Sequence, residues 1–271
     1  MALRLKYQVQ TSVPLEVPGV VPDAVCEKSP SEIERIPVFH GNRQLPLGEF
    51  FAVSGSAADR RIDFEGDLSG VHWIGAQMAG GEIRVEGPAG RHLGSEMSGG
   101  RIHVTGDAGD WTGAEMRGGF IRVDGRAGDL VGSAYRGSAR GMTGGAIVVA
   151  GDAGDEVAHS MRRGIIAIGG SLGDAAAVSM IAGSLFVCGG CGVRPAAGMR
   201  RGSVVLLGAD PRILPTFKPA GHCRPLYLRI FLAHLVRLGL NLPGEAVDCD
   251  YRLYHGDLLS GGRGELLIRA C

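Results

Sequence analysis

The chain has 271 residues, of which 28 are Lys or Arg and 28 are Asp or Glu, so its formal net charge is zero. This balance argues against a nucleic-acid-binding protein, because such proteins usually carry a basic excess. Glycine is the unusual component: the chain has 46 of them, more than twice the ordinary usage of roughly 7%. Since hydrophobic residues make up 45% of the chain, we assign the glycines to a folded architecture and not to a flexible linker.

The N-terminal segment MALRLKYQ lacks the apolar core of a secretory signal. No apolar run reaches the roughly 18 residues that a membrane-spanning helix needs. We therefore expect a cytoplasmic protein with no membrane segment, whose six cysteines are reduced thiols. Residues 1–60 contain the strand-like LRLKYQV and the segment PLGEFFAVSG, and they are predicted to form an N-terminal cap.

A repeat of 19 residues occupies residues 61–208. Each full unit begins with a methionine and has glycine three and nine positions later. The unit starts are Met78, Met97, Met116, Met142, Met161, Met180 and Met199. All steps are 19 residues except one of 26, whose seven extra residues we place at 135–141. A partial unit at 61–77 precedes the first full one.

Each unit carries one short strand between its first two glycines, with apolar residues at alternate positions, as in Ile102 and Val104. A fixed period near 20 residues with one strand per unit is typical of a solenoid. We predict an all-β fold: a right-handed parallel β-helix of seven to eight coils. Left-handed hexapeptide repeats have a different period, and the calcium-binding nonapeptide motif GGxGxD is absent in tandem form.

The outward positions of these strands change character along the chain. They are polar in early units, for example Arg101, His103 and Thr105, and apolar in later ones, for example Val148 and Phe186. A strand that is apolar on both faces is buried on both faces. The predicted cover is the C-terminal helix at residues 224–240, with a partner protein chain as the alternative.

Residues 209–271 are predicted to form a C-terminal cap. This segment contains the helix, which has Pro225 near its start, as is common at helix N-termini. The segment YRLYHGDLLSGGRGELLIR follows and is typical of two strands joined around a Gly-Gly turn.

Two patterns suggest chemistry but have simpler interpretations. Cys188 and Cys191 form a CxxC pair, but zinc and iron–sulfur sites need four ligands and no second pair follows. Asp110, Asp129, Asp155 and Asp174 share one repeat position and would stack at about 4.8 Å spacing. They could bind a cation or act as an acid/base pair, yet turn aspartates that accept backbone hydrogen bonds are the favoured interpretation. We predict no metal ligands and no catalytic residues.

The insertion places Tyr135, Arg136 and Arg140 on a projecting loop, with Arg162 and Arg163 one unit later. Arg136, Arg140, Arg162 and Arg163 are the candidate residues for contact with an anionic ligand or cofactor. A surface loop without a binding role is the alternative.

The repeated pattern M-x-G-G-x-I-x-V-x-G-x-A-G resembles the glycine-rich repeat domain shared by glutamate synthase and the C-subunit of formylmethanofuran dehydrogenase. The flanking segments LGEFFAVSG at 47–55 and YHGDLLSGGRGELLI at 254–268 resemble the C-subunit family. This resemblance implies a cytoplasmic hetero-oligomer that handles formyl groups on a methanofuran-type carrier. It implies that this chain is a structural subunit that binds no cofactor itself, with the carrier and any metals held by partner subunits.

The Arg-rich, Lys-poor composition favours the bacterial branch of this family. That branch moves a formyl group from tetrahydromethanopterin to the carrier and releases formate. The resemblance also suggests that the four candidate arginines help to hold an acidic tail of the carrier. Two alternatives stay open: the C-subunit of a tungsten or molybdenum formylmethanofuran dehydrogenase, and an independent β-helix hydrolase or lyase.

Overall fold

The computed structural model of the protein describes residues 2–208, 210–244 and 246–270. Within these ranges the regular structure is mostly β-strand, as predicted, arranged in a mixed sheet of 13 strands and a smaller sheet of four. The strands are β1 Leu3–Tyr7, β2 Leu15–Glu16, β3 Pro37–His40, β4 Arg43–Pro46, β5 Phe51–Ser54, β6 Arg61–Glu65, β7 Val71–His72, β8 Glu82–Glu86, β9 Arg101–Val104, β10 Phe120–Val123, β11 Ala146–Val149, β12 Ile165–Ile168, β13 Ser184–Val187, β14 Arg201–Leu206, β15 Lys218–Cys223, β16 Tyr251–Gly256 and β17 Arg263–Arg269. The helices are α1 Pro22–Val25, α2 Pro30–Glu34 and α3 Leu226–Arg237.

The repeat strands β6 and β8 to β14 lie side by side, parallel and in register. Equivalent apolar residues therefore face one another from unit to unit, as Ile83 does with Ile102. The seven-residue insertion leaves this register unchanged, since Ile121 pairs with Ile147 across it. A one-residue slip would turn each buried column toward solvent, so the Ile and Val pattern determines the pairing.

A second hydrogen-bonded column runs beside the strands. Single-residue parallel bridges connect Leu68 to Ala89, and so on through successive units to Cys191. The turn between the two columns contains non-glycine residues in the left-handed region, including Trp73, His92 and Trp111 with φ of 64°, 63° and 62°. This conformation is uncommon for such residues. It persists here because each turn amide bonds to the next unit, as Trp73 N–H does to the Arg91 carbonyl.

Both ends of the repeat column are extended by strands from outside it. At the N-terminal end β1 pairs in parallel with β6, and β5 pairs antiparallel with β1. At the C-terminal end β17 pairs in parallel with β14, so that Leu266 faces Val204. The predicted C-terminal hairpin is confirmed, because β16 and β17 are antiparallel.

Helix α3 covers the outer face of the late units, which confirms the helix interpretation of the apolar outer strips. Its buried stripe is Leu228, Leu232 and Leu235, spaced to lie on one face of a helix. This stripe packs in one apolar cluster with residues of the outer strand positions, among them Val148 and Phe186.

The C-terminal end of α3 is held by an arginine of the repeat. Arg122 donates from Nη1 to the Leu238 carbonyl at 2.9 Å and from Nε to Asp124 at 2.7 Å. Gly239 follows the helix with φ of 91°, and a Cβ at this position would overlap the Arg122 guanidinium. Glycine therefore both ends the helix and leaves room for the side chain that holds it.

Two short helices near the N-terminus, α1 and α2, were not predicted from the sequence. Helix α2 begins with a capping box, in which the Ser29 hydroxyl accepts from the Glu32 amide and the Glu32 carboxylate accepts from the Ser29 amide. Proline stands in the first turn of both helices. The helices are only four and five residues long, too short to show a helical repeat of apolar residues.

Candidate functional site

A cleft rich in arginine lies at the edge of the late repeat units. It has a volume of about 670 Å³. Its arginines come from two repeat units and from the start of β17: Arg162, Arg163, Arg200, Arg201 and Arg263. The rest of its lining includes Ser260, Gly261, Ile181 and Ala182. Among the described residues, no carboxylate lies within ion-pair distance of any of these five guanidinium groups.

The structure distributes the four candidate arginines over different places. Arg162 and Arg163 line the large cleft. Arg140 lines a smaller cleft of about 290 Å³ together with Glu115 and Arg117. Arg136 is exposed on the insertion and lines neither cleft. The four therefore do not form one site in this structure.

The remaining cleft arginines were missed from the sequence. Arg200 and Arg201 follow Met199 just as Arg162 and Arg163 follow Met161, so a comparison of equivalent repeat positions contains the signal for them. Arg263 has no such signal, because it reaches the cleft only through the pairing of β17 with β14, which sets Arg201 opposite Arg263.

One rim of the cleft is positioned by a buried carboxylate. Asp257 is 4% exposed, and its oxygens accept from the Gly198 amide at 2.9 Å and from the Leu259 amide at 3.0 Å. The Asp257 carbonyl also accepts from the amides of Ser260 and Gly262. These bonds hold the short turn that presents Ser260 and Gly261 to the cleft.

A stack of aromatic rings covers a second surface, on the early units. Trp73 and His92 are parallel, with ring centroids 4.1 Å apart, and Trp111 lies on the other side of His92 at 6.2 Å. Tyr135 packs against Trp111 at 4.9 Å, and its hydroxyl lies 3.0 Å from His92 Nδ1. The predicted projecting loop thus folds back at its first residue, while residues 136–140 are exposed. The stack was not predicted, because the sequence does not show that Tyr135 returns to an earlier unit.

Burial changes the protonation of two residues in this stack. Burial, with His72 and Arg91 nearby, lowers the pKa of His92 to about 4. Burial also raises the pKa of Tyr135 to about 12. At neutral pH the stack therefore contains a neutral imidazole and a neutral phenol, which suits close packing between indole rings.

We predict that acidification destabilises the protein through His92. Below pH 6.5 the unfolded chain takes up a proton at this residue, while the folded chain does so only near pH 4. The contribution of neutral His92 to the free energy of unfolding is therefore intact above pH 6.5 and is lost progressively as the pH falls toward 4. Urea unfolding at about pH 7 and about pH 5, followed by the fluorescence of the two tryptophans that flank His92, measures this loss.

The variant His92→Phe retains a flat ring but cannot be protonated, so its stability is expected to change less between the two pH values. The matched control is His255→Phe, since His255 is exposed, and it should behave as the unmodified chain does. An unaltered pH dependence in His92→Phe would contradict the prediction.

The two cysteines of the CxxC pair face different surroundings. Cys188 packs against the apolar cluster under α3, and its thiol contacts the Asn241 carbonyl. Cys191 packs against the main core. Burial raises the pKa of both thiols to about 11. Thiols of this kind are poor nucleophiles and poor metal ligands at neutral pH.

The shared aspartates connect successive units through backbone hydrogen bonds. Asp110 accepts from the Asp129 amide at 3.0 Å, Asp129 from the Asp155 amide at 2.8 Å, and Asp155 from the Asp174 amide at 2.7 Å. Asp174 continues the series to the Val193 amide. These aspartates accept backbone hydrogen bonds, as predicted, but the predicted partner was the local backbone of the same turn, and each partner instead lies in the next unit.

Two kinds of feature are absent from the described residues. No group of three or more His, Cys, Asp and Glu side chains in the described ranges could hold a metal ion. No helix among these residues is both long enough and apolar enough to cross a membrane.

No model of a protein family matches the chain. Individual proteins of one family, and a chain of one solved complex, are similar to it. Over 82 residues the chain is 46% identical to the C-subunit of the tungsten-containing formylmethanofuran dehydrogenase 2 of Methanothermobacter thermautotrophicus. Over 85 residues it is 39% identical to the C-subunit of the molybdenum-containing formylmethanofuran dehydrogenase 1 of Methanosarcina barkeri. These matches cover 29% and 30% of this chain and only 30% and 28% of the two relatives.

A solved structure matches along the full length. It is a chain in the crystal structure of the formyltransferase/hydrolase complex from Methylorubrum extorquens in complex with methylofuran. The TM-score is 0.90 at 32% sequence identity, and the alignment covers 99% of this chain and 100% of that chain.

Proposed function

Because the chain belongs to the C-subunit family of formylmethanofuran dehydrogenases, we propose that it is a structural subunit of a cytoplasmic formyltransferase/hydrolase complex. The likeness over the full length to a chain of such a complex carries this proposal. The complex would move a formyl group from tetrahydromethanopterin to a methanofuran-type carrier and release formate. The carrier and any metals would bind to partner subunits, and the chemistry would take place there.

The architecture that we propose for this role is a right-handed parallel β-helix at residues 61–208, with caps at 1–60 and 209–271. The two parallel columns of hydrogen bonds, each advancing by one unit, support coils that stack on one another. The pairing of β1 with β6 and of β17 with β14 supports the assignment of the flanks as caps. Solenoids need such caps because their end units would otherwise expose apolar surface.

The outer surface near the C-terminus supports a role in assembly. Leu226 and Ile230 of α3 are 77% and 74% exposed, and Leu259 beside the arginine cleft is 84% exposed. Large apolar side chains in such number near one end of a chain are a common feature of surfaces that meet other proteins. Their exposure in the isolated chain is consistent with a subunit that functions within a larger assembly.

A second candidate is the C-subunit of a tungsten or molybdenum formylmethanofuran dehydrogenase. The 46% identity to a tungsten-containing relative favours it, although that match is confined to 82 residues. The two proposals differ in the metal content of the assembled complex. They also differ in the reaction: a dehydrogenase changes the oxidation state of the one-carbon unit, whereas a formyltransferase/hydrolase does not.

Affinity purification of the tagged chain from its native host, with mass spectrometry and metal analysis, tests the proposal. We expect co-purification of the other subunits, with formyltransferase/hydrolase activity in the purified assembly. Deletion of the chain should abolish both assembly and activity, and re-expression of the unmodified chain should restore them. Stoichiometric tungsten or molybdenum would favour the dehydrogenase. A chain that purifies alone, and whose deletion leaves assembly and activity intact, would refute both candidates.

A further inference from the structure

The first ring of the aromatic stack has one face that the repeat does not cover. Trp73 lies parallel to His92, with 4.1 Å between the ring centroids and 8° between the planes. Trp73 belongs to the partial unit at 61–77, and His92 holds the equivalent position of the next unit. Tyr135 lies nearer to Trp111, at 4.9 Å, than to Trp73, at 6.4 Å, so it packs beside the stack. The other face of Trp73 is therefore directed toward the N-terminal segment.

The N-terminal segment supplies a layer of backbone next to Trp73 but no ring to cover it. Strand β2 pairs in parallel with β7, which sets Glu16 opposite His72, and the Val17 amide donates to the His72 carbonyl. Residues 15–19 therefore take the place of a preceding coil, with Val17 opposite Trp73. Val17 is fully buried, so its side chain points into the core and leaves the indole uncovered. A cleft of about 280 Å³ lies here, and its lining includes Glu16, Pro18, Gly19, Trp73, Gln77 and Glu96.

The charges around this cleft are acidic. Glu16 and Glu96 lie beside Trp73, and no basic side chain of the described residues lines the cleft. Glu16 has no ion-pair partner in the part of the chain that the structure describes. Glu96 pairs at 3.3 Å with Arg117, whose side chain is 61% exposed. An aromatic face carries partial negative charge and attracts cations, and the two carboxylates add full negative charge. The cleft therefore has the composition of a site for an organic cation.

The shape of the cleft indicates which cation it fits. A guanidinium group is planar, so it can stack on a ring while its N–H groups donate to carboxylates, whereas an ammonium group acts as a point charge. The chain already contains such a contact, since the Arg101 guanidinium carbon lies 5.4 Å from the centre of the Phe120 ring. Pockets for whole small molecules measure about 300–1,000 Å³. This cleft is smaller, and its rim residues Pro18, Gly19 and Gln77 are exposed. It suits the end of one side chain that arrives from outside.

We propose that this cleft binds an arginine side chain of a partner protein. The guanidinium stacks on the free face of Trp73 and donates hydrogen bonds to the carboxylates of Glu16 and Glu96. His92 supports the indole from its other face, so the binding surface is formed before the partner arrives. The inference stands on this cleft alone and does not require the proposed complex to be the correct assembly.

Nuclear magnetic resonance of the full-length chain, labelled with nitrogen-15 at tryptophan, tests the proposal. The chain has two tryptophans and hence two indole N–H signals, and the variant Trp111→Phe identifies the signal of Trp73. N-acetyl-arginine methylamide, added at constant ionic strength, should shift the Trp73 signal saturably with a dissociation constant on the order of 1–10 mM. The Trp111 signal should move much less. N-acetyl-citrulline methylamide has nearly the same shape without the charge, and it should bind at least about tenfold more weakly.

A pair of matched variants tests the two carboxylates. Glu16→Gln/Glu96→Gln should bind N-acetyl-arginine methylamide at least about fivefold more weakly than the unmodified chain. The control Glu27→Gln/Glu34→Gln removes the same charge from exposed positions outside the cleft, and it should change the affinity less than about twofold. Thermal unfolding verifies that the variants remain folded. Should the first double variant misfold, Glu16→Gln measured against Glu27→Gln gives the same test.

Five outcomes would overturn the proposal. The first is absence of a saturable shift of the Trp73 signal. The second is equal binding of the citrulline compound, which would show that charge plays no part. The third is equally tight binding of N-acetyl-lysine methylamide, which would indicate a site for any cation. The fourth is binding of free L-arginine at least tenfold tighter than that of the methylamide, which would indicate a small-molecule site. The fifth is equal weakening in both double variants, which would indicate general charge attraction.

Discussion

Replacing Gly113 with alanine is expected to lower the free energy of unfolding by about 2–4 kcal/mol. Gly113 has φ of 64°, in the left-handed region that costs a residue with a side chain about 1–2 kcal/mol. A Cβ at this position would also overlap Cδ1 of Ile147, a fully buried core residue. Because the core is closely packed, the isoleucine has no free space into which it can move.

The same close approach between a turn glycine and a strand isoleucine recurs along the repeat. A Cβ at Gly75, Gly94 or Gly132 would likewise meet Cδ1 of an isoleucine in a following strand, namely Ile102, Ile121 or Ile166. In the later units the glycine position carries alanine, Ala158 and Ala177, and the corresponding strand position carries Leu185 and Val204. Where the isoleucine is absent, alanine occupies the turn in the same left-handed conformation. The contact between the turn and the isoleucine thus accounts for the choice between glycine and alanine.

Gly137→Ala is the matched control for this prediction. Gly137 also has positive φ, at 89°, but a Cβ there would meet no atom within 4 Å. Chemical denaturation of both variants separates the cost of the backbone from the cost of overlap, and Gly137→Ala should lose only the backbone part, about 1–2 kcal/mol. In the double variant Gly113→Ala/Ile147→Val, the loss should be smaller than the sum of the single losses, because valine lacks Cδ1. Equal losses for Gly113→Ala and Gly137→Ala would show that overlap contributes nothing.

Replacing Asp257 with alanine is expected to destabilise the protein by about 2–3 kcal/mol. The variant removes the acceptors of the Gly198 and Leu259 amides, and a buried donor left without a partner costs about 1–3 kcal/mol. Urea unfolding measures this loss. The turn that carries Ser260 and Gly261 to the arginine cleft should also loosen, which faster amide hydrogen exchange at 258–262 would report.

Two variants serve as controls for Asp257. Asp257→Asn retains one side-chain oxygen and nearly the same shape, so it should lose less stability than the alanine variant. Asp155→Ala removes an exposed carboxylate that accepts one amide hydrogen bond, and it should cost about 1 kcal/mol or less. If Asp155→Ala and Asp257→Ala were equally destabilised, burial of the carboxylate would not be the source of the effect.

The sequence predicted the strand register and the cover of the late units because both depend on local patterns. Ile121 and Ile147 pair across the insertion, as the alignment of repeat glycines requires. Val148 and Phe186 point outward and are nevertheless apolar, which predicts a cover. The helix that supplies this cover begins and ends within the predicted range of 224–240.

The sequence determined less about the surfaces. It identified Arg162 and Arg163 but not the cleft around them, and it placed Arg136 and Arg140 in the same group without a structural basis. It also gave no indication that Trp73, His92, Trp111 and Tyr135 meet. These surfaces form between side chains that are far apart in the sequence, and neither repeat period nor hydrophobic pattern reports such contacts.

By itself, then, the sequence determined the period of 19 residues, the paired columns of Ile and Val and the position of the C-terminal helix. Regular spacing and alternation of apolar residues specify these features locally, because a displaced register would expose the core. Only the tertiary structure decided which arginines share a cleft and which ring caps the aromatic stack. Those contacts depend on how β17 joins β14 and how the insertion folds back, and both are set by long-range packing.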